Sequence, residues 1–399
     1  MSEAATPETS RRDQFVRATL LSWMDQGSGE LSARGLAAIA GANASAIYYY
    51  FDDLEHLYEA AQRAAIAQAS DWIAQRRDAL LAELHAADLP PVALGSLLAQ
   101  LTDAWCENAR PLAFAWRECQ LLAARNPSFA PLRAEWATLW RAFFAAICSR
   151  FGAAAASEAS FLFFDGESLL HLMRWNRAID RAALDESCAT WGRWIGGSLP
   201  GDTPWRLHAR ARARATLGGV AIPDGNGAAV AEAAATLLAA RGLGAITHRA
   251  VAAQAGLTLG AVSHVCRRTD DLLRLAYAQI YLELTGGAPD RLDAATPVTP
   301  PTSDPTPAEA RLLALDELIL AVARGRAEPG LVGMLRYLRG TTSIHTVRER
   351  VRCSDGQSIA LSAVLSSIGM GFWRTTPAHG DAEAYDGFLD HLFAPLSAG

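Results

Sequence analysis

Leu36–Leu57 reads LAAIAGANASAIYYYFDDLEHL, and the feature to be explained is Tyr48, Tyr49, Tyr50 and Phe51 in a row. A helix turns 100° per residue, so four consecutive aromatics spread round its circumference and no single buried stripe accommodates them all. Some must face outward. Gly41 stands where a tight turn between two helices requires a positive φ. Ser32 and Asn43 stand where N-caps are needed, and Asp52, Asp53 and Glu55 follow the aromatics. The local reading is a short helix, a glycine turn and a second short helix.

The pattern occurs twice. A shift of 215 lays Ala18, Gly27, Gly29, Arg34, Ala37, Ala40, Gly41, Ala46 and Leu57 onto Ala233, Gly242, Gly244, Arg249, Ala252, Ala255, Gly256, Ala261 and Leu272 without a gap. Ser32 and Asn43 fall on Thr247 and Thr258, again capping residues. A first helix is expected over Arg12–Gln26 and its copy over Ala228–Arg241, each stopped at glycine. Ala37 and Ala40 allow close helix contact. This is a helix-turn-helix, present in duplicate.

LAAIAGANASAIYYYFDDLEHL and VAAQAGLTLGAVSHVCRRTDDL (Val251–Leu272) both resemble the DNA-binding end of the TetR family of one-component transcriptional regulators, whose pattern is roughly IAxxAGVSxGxxYxYFxxKExL. The first copy matches at Leu36-Ala37, Ala40-Gly41, Tyr48, Tyr50, Phe51, Glu55 and Leu57. The second matches at Val251-Ala252, Ala255-Gly256, Gly260, Asp270 and Leu272. The resemblance covers about fifty residues of each half. It implies DNA contacts from Arg34, Asn43, Ser45, Tyr48 and Tyr49 in the first head, with Tyr50 and Phe51 packing inward. In the second, degenerate head it implies contacts from Arg249, Thr258, Ser263, His264, Arg267 and Arg268. A tyrosine hydroxyl can reach a phosphate while its ring packs on the sugar. Family members resemble chains of about half this length that act as homodimers, so one chain with both copies implies a covalent pseudodimer, monomeric in mass. The implied division is a head at 1–60, a ligand-binding and dimerisation body at 61–205, a linker at 206–226, a second head at 227–275 and a second body at 276–399. The partners implied are double-stranded DNA and a small hydrophobic or aromatic effector, and the operator is expected to be asymmetric. The lysine that opens the family's fourth helix aligns with Leu54 and Thr269, so that charge is absent from both copies.

Charge separates the two heads. Arg11–Glu59 carries four arginines against seven carboxylates, net −3, and Asn226–Arg274 carries five against three, net +2. Phosphate neutralisation supplies most DNA affinity, so the second head is expected to contribute much of the electrostatics. The overall charge of −6 says little, because local potential governs.

Composition bounds the remaining chemistry. Half of the 399 residues are apolar, enough for large cores, and Ala, Leu, Arg and Glu recur at helical spacing, so the fold class is all-α. No run approaches 18 apolar residues without a charge, which argues against a membrane span. MSEAATPETSRRDQ lacks the apolar core of a signal peptide, so a cytoplasmic location is expected. Six scattered cysteines without a CxxC pair fit reduced thiols, and neither they nor the nine histidines make a metal site. The chain has no lysine, which excludes Schiff-base and P-loop chemistry. No cofactor is expected. Asp165 and Glu167, two apart on a helix, face different directions, and no nucleophile accompanies them. The chain is not read as an enzyme.

The first body is rich in aromatics, with ten of the eleven tryptophans before the linker ends. Trp105, Phe114, Trp116, Trp140, Phe144 and Trp175 are candidate walls for an effector, with Glu118 and His171, and also Arg174 and Asn176, as polar anchors. The plainer alternative is that such a stripe is core. Gly166, with Gly369 or Gly371, is expected to let two interface helices approach closely. WRLHARARARA (Trp205–Ala215) reads as a solvated end helix, the alternative being arginines on DNA phosphates. Residues 217–228 read as a flexible joint, and 285–310, Pro/Thr-rich, as an extended segment that shortens the second body and leaves it less able to form a cavity. Two other functional classes stay open: a ligand sensor or partner-binding protein that has lost DNA binding, and an enzyme reusing the cavity.

Overall fold

In a computed structural model the described residues are 10–84, 89–216, 222–284, 305–326, 329–341, 343–375 and 382–397. Among them the chain forms nineteen α-helices and no strand. The first head is α1 (Arg11–Ser22), α2 (Ala33–Ile39), α3 (Ala44–Tyr50) and the start of α4 (Leu54–Glu83). At 1.5 Å per residue α4 runs about 45 Å, from the head deep into the body. The body continues with α5 (Leu94–Asn108), α6 (Arg110–Arg125), α7 (Ala130–Arg150), α8 (Ser157–His171) and α9 (Arg177–Ile195). A connector, α10 (Pro204–Thr216), leads to α11 (Asn226–Arg241), α12 (His248–Ala255), α13 (Leu259–Val265) and α14 (Thr269–Leu284). The chain ends with α15 (Pro305–Ala323), α16 (Pro329–Tyr337), α17 (Ile344–Arg350), α18 (Asp355–Thr375) and α19 (Ala382–Ser397).

The repeat is present in three dimensions. Helices α11 to α14 start at the residues 215 beyond the starts of α1 to α4. Ser32 accepts the Gly35 N–H at 3.1 Å and Thr247 the Ala250 N–H at 3.1 Å, each satisfying an orphan donor of its helix. Thr258 caps α13 in the same way at 3.2 Å, whereas Asn43 holds the N-cap position without a side-chain bond. Gly41 and Gly256 both turn with positive φ, +62° and +66°. The first head buries Phe15, Trp23, Leu36, Ile47, Phe51, Leu57 and Tyr58, and the equivalent positions bury Val230, Leu238, Val251, Val262, Cys266, Leu272 and Leu273. The second core is the first with most of its aromatic volume removed.

The tyrosine run resolves as the 100° turn requires. Ile47 and Phe51 are buried, Tyr48 is 57 % exposed and Tyr49 82 % exposed. Tyr50, expected to pack inward, is 40 % exposed and lies edge-on to Tyr49 at 4.9 Å.

Three expectations need correction. The connector is not a solvated end helix, nor are all its arginines turned outward: Arg206 and Arg210 are buried, while His208 and Arg212 are exposed. Arg206 donates to Ser187 Oγ at 2.6 Å, and Arg210 donates to the Tyr337 carbonyl, docking α10 between α9 and α16. The Glu186 carboxylate takes the first N–H groups of α10, those of Trp205 and Arg206, at 2.8 and 2.7 Å, where an anion suits the helix dipole. Of the expected joint, 217–221 lie outside the described residues, but Asn226–Ala228 are already helical. Of the expected extended segment, 285–304 lie outside them, and Pro305 opens α15.

The tightest packing is α8 against α18. A Cβ on Gly166 would strike the Ser367 carbonyl oxygen, and a Cβ on Gly371 would strike that of Leu162. A shift of 205 maps Leu162 onto Ser367 and Gly166 onto Gly371, so the two contacts are one contact made reciprocally. Gly369 does not share this role, since its Cβ would meet only the Tyr385 hydroxyl, at 3.3 Å. Gly166→Ala and Gly371→Ala should each lower the unfolding free energy by about 2–3 kcal/mol through overpacking. Gly387→Ala, with open space around it in α19, should raise it by about 0.5–1 kcal/mol. Denaturant titration of the three variants checks the contrast.

Candidate DNA-binding heads and ligand-binding body

All the residues expected to touch DNA are exposed: Arg34, Asn43, Ser45, Tyr48 and Tyr49 on the first head, and Arg249, Thr258, Ser263, His264, Arg267 and Arg268 on the second. On the first head Arg11 braces the turn, its Nη1 donating to the carbonyls of Ala40 and Gly41 at 3.2 and 3.3 Å. Arg11, Gly41, Asn43, Ser45 and Tyr49 then line one concavity at the start of α3. Beyond the end of α3, Asp52 and Asp53 are exposed and lie 3.5 and 3.4 Å from His56 Nδ1, a local charge that opposes a polyanion. On the second head Asp271 accepts the backbone N–H groups of Arg267 and Arg268 at 3.1 and 2.9 Å. Arg268 also meets Asp270 at 3.1 Å, an exposed pair of little energetic worth that leaves the guanidinium free to re-pair.

In the first body Trp105, Trp116, Trp140 and Phe144 come together, each at most 1 % exposed. Trp105 and Trp140 lie 5.0 Å apart edge-on, Trp116 stacks on Trp140 at 5.6 Å, and Phe144 is 6.4 Å from Trp140. Phe164, 4.4 Å from Trp140, and Trp72, 5.2 Å from Trp105, join the cluster, as do Trp136, stacked 6.1 Å from Trp116, and Phe143, 5.9 Å from Trp140. The rings contact one another as a core does. Its polar irregularity is that the indole N–H of Trp105, that of Trp140 and the Thr102 hydroxyl are buried without a hydrogen-bond partner. Such groups carry a desolvation cost.

The other expected effector residues lie apart from this cluster. Phe114 sits beneath the guanidiniums of Arg110 and Arg324, 5.0 and 5.4 Å from its ring centre. Glu118 is ion-paired with Arg324, and Trp175 lies 5.4 Å from Tyr337. Arg174 pairs with Glu107, and Asn176 caps α9. His171 Nε2 lies 3.0 Å from Asp103, and its Nδ1 faces Arg336 at 2.5 Å. Because arginine has only donors, Nδ1 accepts and Nε2–H donates to the carboxylate. Asp165 and Glu167 diverge: Asp165 meets Arg117 and Arg374 at 2.6 and 2.5 Å, while Glu167 meets Arg339 and Ser367. Both carboxylates are held by arginine.

A cavity lies in the second body, where the lost chain length had argued against one. It is a half-open pocket of about 270 Å³, walled by Leu315 and Ile319 of α15, Met334 and Leu335 of α16, and Met370 and Trp373 of α18. Arg339, Thr341, Ser343 and Tyr385 give it a polar edge. No composition signal marks this site, because the residues are ordinary apolar ones brought together by the spacing of three helices. Among the described residues no group of potential ligands could hold a metal, and no helix is long and apolar enough to cross a membrane.

Burial, with the Arg336 guanidinium beside it, pushes the His171 pKa down to about 4. Burial works against the Asp103 carboxylate, but hydrogen bonds from His171 and Arg177 outweigh it and hold its pKa below the usual range. Below pH 6.5 the unfolded chain protonates this histidine while the folded chain does not, so stability falls with pH until about 4. The loss should approach about 3 kcal/mol, and protonation of Asp103 should add to it at lower pH. His171→Gln, uncharged throughout, should flatten the dependence between pH 6.5 and 4 in denaturant titrations at several pH values.

No protein-family model matches the chain, and no curated protein is similar to it.

Proposed function

We propose that the chain is a TetR-like transcriptional regulator, a repressor whose two heads sit on one covalent pseudodimer and are released by a small hydrophobic ligand. The observation that carries this reading is the duplicated helix-turn-helix, with matched helix starts and glycine turns and its outer residues exposed on both copies. The reciprocal Gly166 and Gly371 contacts support the pseudodimer, since an isologous interface makes each contact twice. In this reading α3 and α13 enter successive major grooves about 34 Å apart. Their side chains differ, so the operator is asymmetric.

The effector site we propose is the second-body cavity, whose size suits a ligand of one or two rings. The partnerless indole groups of Trp105 and Trp140 favour a second place, where an aromatic ligand with acceptor atoms parts those rings. Loss of tryptophan fluorescence change in Trp373→Phe, but not in Trp105→Phe, on titration with 1-naphthol would assign the cavity. The reverse would assign the cluster.

Selection of bound fragments from random and genomic DNA should enrich an asymmetric site. Tyr49→Ala should weaken binding to one half of it, and Arg249→Ala should reduce the slope of log affinity against log salt by about 0.9. A perfectly two-fold site, or a solution mass of two chains joined through α8 and α18 themselves, would overturn the pseudodimer. Absence of enrichment at low salt would favour a sensor that has lost DNA binding, the reading to which Leu54, Thr269 and the acidic first head point.

A further inference from the structure

Glu118 of α6 and Arg324, just past α15, form an ion pair in which each side chain is 1 % exposed. Arg125, at the end of α6, pairs with Glu317 of α15 at 2.5 Å. A shift of 199 carries Glu118 onto Glu317 and Arg125 onto Arg324. The two pairs are therefore one interaction made twice, each glutamate reaching an arginine in the other half of the chain. Both lie beneath the turn that follows the first helix of a head. A Cβ on Gly27 would be 3.4 Å from Arg324 Nη1 and 3.7 Å from Glu118 Oε1. A Cβ on Gly242, its counterpart, would be 2.8 Å from Glu317 Oε1 and 3.1 Å from Arg125 Nη1. On the first head the link is also hydrogen-bonded: Arg324 Nε donates to the Trp23 carbonyl at 3.1 Å, and Glu118 accepts the Ser28 N–H at 2.9 Å. The two turns meet each other as well, for a Cβ on Gly244 would be 2.9 Å from the Gly29 carbonyl oxygen.

Helix α15 has two working faces. Leu312, Leu315 and Ile319 line the second-body cavity. Glu317 lies about 200° round the helix from Leu315, and Arg324, seven residues further on, returns to within about 20° of Glu317. Helix α15, with Arg324 hydrogen-bonded to its last turn through the Leu320 carbonyl, thus touches the cavity on one side and both heads on the other, the first head through Arg324 and the second through Glu317.

We propose that α15 carries a single signal to both heads: a small apolar ligand in the second-body cavity shifts α15, and the crossed ion pairs move the two head turns together without any ligand in the first body. This rests on the effector site proposed above for its trigger, but the wiring itself rests on the ion pairs. A ligand can drive such a shift only by the difference in its affinity for the two positions of α15.

Amide hydrogen exchange of the full chain, followed in residues 23–31 and 241–247 with and without saturating 1-naphthol, tests the wiring. In the unmodified protein both turns should change exchange rate by about threefold or more. Two double variants each remove one pair without stranding a charge. In Glu118→Gln/Arg324→Gln the response of 23–31, left with the Arg326–Glu30 pair and the contact between the turns, should fall severalfold more than that of 241–247, and in Arg125→Gln/Glu317→Gln the pattern should invert. Binding of 1-naphthol with a response in one turn only, or with both responses intact in both double variants, overturns the proposal. If calorimetry detects no binding, the effector reading has failed separately. The wiring is then decided by Leu315→Trp, which fills the cavity from α15 itself and should alter both turns in the absence of ligand. Should that variant not fold, Ser366→Trp fills the cavity from α18, and unchanged exchange in both turns sinks the idea.

Discussion

The contact of α8 and α18 through Gly166 and Gly371 sets the terms for everything around it. Two backbones so close leave no room for water, so the carboxylates that flank the contact, Asp165 and Glu167, are stripped of solvent. Each must then be met by a fixed cation. Arg117 meets Asp165 from α6, Arg374 meets it from α18 and continues to Asp316 of α15 at 2.7 Å, and Arg339 meets Glu167. A chain of alternating charges therefore crosses four helices, and its geometry admits one register of α6 against α15. That register is what brings Glu118 to Arg324 and Arg125 to Glu317.

Around these reciprocal contacts the two halves differ. The first keeps a core of large rings, and the second replaces Phe15, Trp23, Phe51 and Tyr58 with Val230, Leu238, Cys266 and Leu273. Volume lost from the second head leaves it with fewer dispersion contacts per residue. In the body the relation takes another form: tryptophans fill the interior of the first half, while Leu, Ile and Met in the second leave space. The half that is poorer in aromatics is the one that holds the pocket.

The heads were legible in the amino-acid sequence because their signals are local. Capping residues, a positive-φ glycine and a short apolar pattern act within one turn of helix, and Ser32, Thr247, Thr258, Gly41 and Gly256 all act as their positions implied. Gly166 was also legible, since a glycine within a helix implies a close neighbour. The connector misled because spacing by two disperses charge in the average. Arg206 and Arg210 are nonetheless four apart, flanked on that face by Ala209 and Ala213, and so form a buried stripe. Glu118, expected as a polar anchor for an effector, pairs with Arg324. Its signal, a glutamate in α6 and another in α15, each followed seven residues later by an arginine, was obscured because the repeat shift falls from 215 in the heads to 199 there. The cavity had no local signal at all.

The reciprocal helix contact lies within one polypeptide, and that changes its thermodynamics. Two subunits separate on dilution, whereas two halves of one chain stay at an effective concentration that on general grounds is in the millimolar range. Pairing of α8 with α18 within one chain is thus independent of how much protein a cell makes. In a homodimer every substitution appears twice and must suit both sides of its own symmetry axis. Here each appears once. Leu238 need not match Trp23, and a pocket beside α15 need not be repeated beside α6, so the two halves are free to differ.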